Sequence, residues 1–223
     1  MSILPSYTHI INPKLKHIYL TFDEEGSLII KSPKVSQRDV EKVLLSKASW
    51  IRNAQKKFSL KKGRYPTFKE NNELYFLGES HSFVYKQHTN EKIELLFDGD
   101  VFTYFYDTYD EKTLHRKIDA FYKKEAMEYI PDILEKWSKI MKTKATKLSF
   151  RKTKRQWGSC SSDNKISINT MIMKLPLDVI EYIVVHELSH IRHKHHQKDF
   201  WEHVSTYLPT YKKQVRILKN FTT

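Results

Sequence analysis

The chain has 223 residues, with 39 Lys and Arg against 26 Asp and Glu, for a formal net charge of +13. That length suits one domain or two small interlocked ones, and 39% hydrophobic with 29% charged residues excludes a collagenous, low-complexity or wholly disordered protein. A single cysteine, Cys160, excludes an intrachain disulfide. Neither a signal-peptide pattern nor an apolar run of membrane-spanning length is visible, so the expectation is a soluble, cytoplasmic protein with no membrane partner. The surplus of positive charge suggests an anionic partner: nucleic acid, a phosphorylated small molecule or an acidic protein.

Residues 16–22 and 27–31 alternate well enough on either side of Asp23-Glu24-Glu25-Gly26 to predict a β-hairpin. Ser36 reads as an N-cap with Asp39 three residues on, opening a helix that Val40, Val43, Leu44, Trp50, Ile51 and Ala54 carry to about Phe58. Residues 56–64 form a basic connector. Short aromatic and β-branched runs at 74–77, 83–85, 93–97 and 101–106 predict an antiparallel meander. From residue 110 to 142 the period is helical again, with Pro131 separating or kinking two pieces. Strands are expected at 148–150 and 165–170, on either side of the polar segment 156–164.

Pro176 and Leu177 then open the most strongly patterned helix, with Asp178 as its expected N-cap and Glu181 completing a capping box. Ile180, Ile183, Val184, Leu188 and Ile191 supply its buried stripe. A last helix or pair of helices runs from 198 to 219, broken at Pro209. The fold class is α+β: a β-rich region with one helix over residues 1–108, then a hydrolase domain over 109–223.

Six of the eleven histidines, His186, His190, His193, His195, His196 and His203, fall within eighteen residues. Among them lies His186-Glu187-Leu188-Ser189-His190, an H-E-x-x-H motif on the strongest predicted helix. Residues four apart face the same way one turn up, so both imidazoles can reach a single metal ion. Glu187, rotated by one residue, approaches a water at that metal rather than the metal itself. A third ligand must come from where the chain reverses. His196 suits that role, and His195, His193, His203 and Glu202 stand as alternatives.

With Phe200-Trp201 following, and with Trp157-Gly158-Ser159-Cys160-Ser161, Ile168-Asn169 and Leu175-Pro176 upstream, this segment resembles the YgjP-like metallopeptidases, relatives of the SprT-like zincins. Trp50-Ile51-Arg52 and Leu77-Gly78-Glu79 extend the resemblance over nearly the whole chain. It implies a zincin-like fold at the C-terminus, His186, His190 and His196 as metal ligands, and Glu187 as the catalytic residue. The chain departs from the family pattern at His195, where Asn or Asp is usual, and at Gln197, where Ser is common. The implied metal is Zn²⁺, with Ni²⁺ or Mn²⁺ as alternatives that imidazole also suits.

Other residues are weaker candidates. Cys160, Trp157 and Trp201 read as packing residues, and neither Tyr207 nor Tyr211 is singled out as an oxyanion donor. Arg192 and Lys194 sit beside the motif as a solvated helix end or an anion contact. Seven cations, Lys142, Lys144, Lys147, Arg151, Lys152, Lys154 and Arg155, occur within fourteen residues without an acid. Arg151, Lys152, Lys154 and Arg155, with Trp157, are therefore candidate anion or substrate contacts.

The expectation is a zinc-dependent hydrolase acting on a protein or peptide, with Glu187 moving the proton. A nucleotide or phosphoanhydride hydrolase, and a nucleic-acid-associated module using the basic rim, are the rivals. The strand at 165–170, placed by the zincin likeness at a sheet edge near the metal, would pair with an extended peptide.

Overall fold

A computed structural model of the chain describes residues 5–23, 27–59, 63, 66, 72–89 and 92–223. The hairpin apex at 24–26 and residues 60–62 and 64 of the connector lie outside the described residues. The chain forms two compact units, Met1–Lys61 and Lys62–Thr223.

In the first unit, β2 (Tyr19–Phe22) and β3 (Leu28–Ser32) pair antiparallel, as their alternation predicts, and β1 (Tyr7–Ile11) adds parallel to β3 on its other side. Leu28 and Ile30 bury against Val40, Leu44 and Ile51 of two helices. The helix expected to run unbroken to Phe58 is instead α1 (Gln37–Ser46) and α2 (Ala48–Ser59). Ser46 turns its hydroxyl onto the carbonyl of Val43 at 2.9 Å, and that competing bond marks the break at Lys47. Ser36 caps α1 as expected, its Oγ accepting from the Asp39 N–H at 3.2 Å.

The second unit begins with β4 (Glu73–Phe76), β5 (Glu79–Gln87), β6 (Glu94–Phe97) and β7 (Val101–Tyr106), in the order β4-β5-β7-β6. β5 and β7 are parallel, so the sheet is not the expected meander. Alternation located the strands but not their partners. β7 takes the inner place because Phe102, Tyr104 and Tyr106 fill its buried face, while β6 leaves Leu96 exposed at the edge. These aromatics share one core with the helices of the C-terminal half.

Next comes α3 (Glu111–Ile140), capped by Asp110, whose Oδ2 accepts from the Thr113 N–H at 2.9 Å. Pro131 does not separate two pieces. Ile118, Tyr122 and Ala126 before it and Ile130 and Trp137 after it are all buried in the same core. At about 1.5–3 kcal/mol per large apolar side chain, that burial outweighs the roughly 3 kcal/mol cost of an interior proline.

β8 (Lys147–Arg151), β9 (Gly158–Cys160) and β10 (Lys165–Asn169) form a small sheet in the order β8-β10-β9, with β9 antiparallel to β10. The edge expected at 165–170 is thus a central strand, and β9, within the segment expected to be merely polar, is one of the two edges. A 3₁₀ turn, Thr170–Lys174, leads into α4 (Leu177–Arg192), followed by α5 (Lys198–Tyr207) and α6 (Tyr211–Leu218), separated at Pro209 as expected.

Helix α4 is capped by Pro176 without a side-chain bond, not by Asp178. Asp178 accepts from Gln214 Nε2 at 3.1 Å, and Glu181 pairs with Lys136 at 2.6 Å. Gly78, with φ at +92°, lies so close to Pro176 that a Cβ there would come within 2.6 Å of its ring. The β4–β5 turn therefore braces the start of the motif-bearing helix. Among the described residues, no helix is long and apolar enough to cross a membrane.

Candidate metal centre

Helix α4 buries Val179, Ile180, Ile183, Val184, Val185 and Leu188 in the core, which turns His186 and His190 together toward one cleft. The chain then reverses between α4 and α5 and brings His196 back over them. His196 Nε2 lies 3.0 Å from Nε2 of both His186 and His190. Among the described residues, these three converge as a metal-sized group of donors, their atoms within 4.8 Å of one another. Imidazole nitrogens at about 2.0–2.1 Å from one tetrahedral ion stand about 3.3 Å apart, so the spacing fits such an ion.

The ring environments point the same way. Burial, reinforced by the neighbouring His190 and His196, lowers the pKa of His186 to about 3. Burial also lowers that of His190, although its bond to the carbonyl of His193 works against the shift. Both shifts favour the neutral ring, which offers a lone pair. The donor set fits a divalent transition metal.

Phe200, fully buried, is the floor of the cluster, with ring centroids 4.9, 4.5 and 4.8 Å from those of His186, His190 and His196. Trp201 stacks on His196 at 5.6 Å, Tyr211 stacks on Trp201 at 5.4 Å, and Tyr182 lies against Tyr211 at 6.4 Å. This aromatic column supports the one histidine that comes from a loop. Tyr182 also places its hydroxyl 3.4 Å from Nδ1 of His186. Sequence reading passed over Tyr182, although it lies one helical turn before His186 on the same face.

Glu187 is buried, and its Oε2 has no hydrogen-bond partner among the described residues. Burial pushes its pKa up to about 8. It lines a cleft of about 450 Å³ together with the three histidines, Trp157, the three residues of β9, and Lys194. Cys160, read from sequence as a packing residue, and Trp157, read both as packing and as a candidate substrate contact, reach the cleft, while Trp201 packs behind a histidine.

The remaining candidates are dispersed. His203 bonds Ser189 Oγ at 3.1 Å, away from the cluster, and His195 is exposed. Arg192 donates to the carbonyls of Met141 and Lys142, and Lys194 to Ser161 O and Asn164 Oδ1. Of the basic run, Arg151 reaches Ser159 Oγ at 3.1 Å on the cleft's flank, whereas Lys152 pairs with Asp119 of α3 at 2.9 Å. Lys154 and Arg155 are exposed and outside the lining.

The sequence matches a model described as YgjP-like, metallopeptidase domain, over residues 16–221. That domain spans nearly the whole chain and is not confined to the C-terminal part, as the sequence led us to expect. No curated protein matches the sequence. Among solved structures, the metallopeptidase zymogen abylysin of Pyrococcus abyssi is similar at 21% identity and a TM-score of 0.37, over 42% of this chain and 99% of that one. The metallopeptidase zymogen jannalysin of Methanocaldococcus jannaschii is similar at 20% identity and a TM-score of 0.36, over 40% and 91%.

Proposed function

Because the chain belongs to the YgjP-like metallopeptidase family and is a metal-dependent hydrolase, we propose that it cleaves peptide bonds with Zn²⁺ held by His186, His190 and His196. Ni²⁺ and Mn²⁺ are the alternative occupants. The observation that carries this reading is the convergence of three imidazoles on one cleft wall beside a buried Glu187 whose Oε2 has no hydrogen-bond partner among the described residues. Bound there, the ion supplies Lewis acidity, making a water more acidic and polarising a carbonyl.

Glu187 is the general base. One carboxylate oxygen takes the proton from the attacking water, and the same group then delivers it to the leaving amine. β9 bonds to β10 on one side only, and its residues line the cleft. Its free edge suits an extended peptide added as a further strand, the role first assigned to the strand at 165–170. The buried Phe200 excludes water from beneath the histidines.

The test is Glu187→Gln beside His186→Ala, assayed on an unstructured protein. The first should keep metal and lose hydrolysis, and the second should lose both. Full activity in Glu187→Gln would remove the assigned role.

Lys194 in the cleft and Arg151 on its flank favour one rival, hydrolysis of a nucleotide phosphoanhydride. Turnover of nucleoside triphosphates without proteolysis would select it. Salt-sensitive DNA binding that survives chelation would instead support a nucleic-acid role for the basic run. The single Cys160 accords with a reducing, cytoplasmic location.

A further inference from the structure

We infer that Gly158 is a positioning residue: its missing side chain sets where the Glu187 carboxylate stands. This rests on the role proposed above for Glu187. A Cβ on Gly158 would come 2.7 Å from Oε1, 2.8 Å from Cγ and 3.0 Å from Cδ of Glu187. Such contacts lie inside van der Waals separation. The φ of Gly158 is outside the left-handed region, so backbone conformation does not call for glycine there. The contact with Glu187 does.

When two groups collide, the less firmly held one moves. Gly158 stands opposite Ile168 of the central strand β10, and Ile168 is fully buried. The preceding carbonyl, that of Trp157, accepts from the Asn169 N–H at 2.8 Å. The buried Asn169 amide then donates to Thr153 O at 2.8 Å and Gln156 O at 3.0 Å, tying down the loop that delivers β9. Glu187, by contrast, has rotatable bonds and a carboxylate oxygen with no partner among the described residues. A methyl group at position 158 therefore displaces the carboxylate and leaves the strand in place. The three nearest atoms it meets all belong to Glu187.

The discriminating set is Gly158→Ala, Glu187→Gln and the double variant. Each is measured for affinity for Zn²⁺ by chelator competition, melting temperature without metal, and kcat and KM on an unstructured protein. Displacing a reacting group by about 1 Å costs on the order of a hundredfold. Gly158→Ala should therefore lose about a hundredfold in kcat, with KM within about twofold and with affinity and melting temperature unchanged. The double variant should be no slower than Glu187→Gln.

Wild-type kcat in Gly158→Ala, with Glu187→Gln inactive, would overturn the inference. So would a loss that tracks falling metal affinity or melting temperature, because the glycine would then serve the fold. A fully active Glu187→Gln would instead overturn the reading of Glu187, and the two failures are distinguishable.

Discussion

The Nδ1–H of His190 donates to the backbone carbonyl of His193, 3.0 Å away, across the end of α4. A carbonyl can only accept, so this bond places the proton on Nδ1 and leaves Nε2 bare, facing His196. The loop that carries His196 thus also fixes the tautomer of a histidine on the helix. We predict that His190→Ala and His196→Ala each abolish stable metal retention, read as metal per chain after gel filtration. Full occupancy in either variant would rule that residue out as a ligand.

Trp201 has a different task. It touches no reacting atom in the proposed mechanism, yet its indole lies flat against His196 and is backed by Tyr211. Groups that orient a ligand typically contribute about 10–100-fold to metal affinity. Trp201→Ala should weaken binding by that amount in chelator competition, and Trp201→Phe should recover most of the loss. Equal affinities for the three proteins would show that the column does not support His196.

Asn169 joins β10 to the 153–156 loop through an amide that donates to two backbone carbonyls, while its side-chain oxygen accepts from the Met171 N–H at 3.1 Å. Asn169→Ala removes these bonds in a part-buried site, at a cost of about 1–3 kcal/mol. A lower denaturant midpoint at constant m-value is the expected result.

Lys142 ends α3 in a left-handed conformation, with φ at +48°. The Thr143 N–H bonds Ser138 O at 3.0 Å, and the Lys142 N–H bonds Lys139 O at 3.3 Å, the pattern that usually carries glycine at this position. Lys142→Gly should stabilise the protein by about 0.5–1 kcal/mol, since the strain relieved exceeds the added chain entropy. An unchanged or lower midpoint would contradict this.

The motif-bearing helix was the most legible part of the chain, because its spacing places His186 and His190 on one face by backbone geometry alone. The convergence of His196 with His186 and His190 was partly legible: a third donor had to come from the turn, yet four other residues stood as alternatives. Only the tertiary reversal over Phe200 separates them. β9 was missed because three small or polar residues carry no alternation, and the contact that requires Gly158 comes from a helix far along the chain. The β5–β7 pairing escaped for a related reason. A period of two identifies strands, whereas partner choice is decided by which aromatic face the core needs. At Lys47 and at Pro176, local bonding and tertiary contacts overrode the expected helix signals.

The most direct test of the central proposal is hydrolysis of an unstructured protein by the purified chain, with metal content measured on the same samples. Wild-type protein should hold about one divalent ion per chain, cleave the substrate, lose activity on chelation and regain it with Zn²⁺. Glu187→Gln should hold the same metal and cleave nothing. Undiminished hydrolysis by metal-free protein, or by Glu187→Gln, would contradict the proposal.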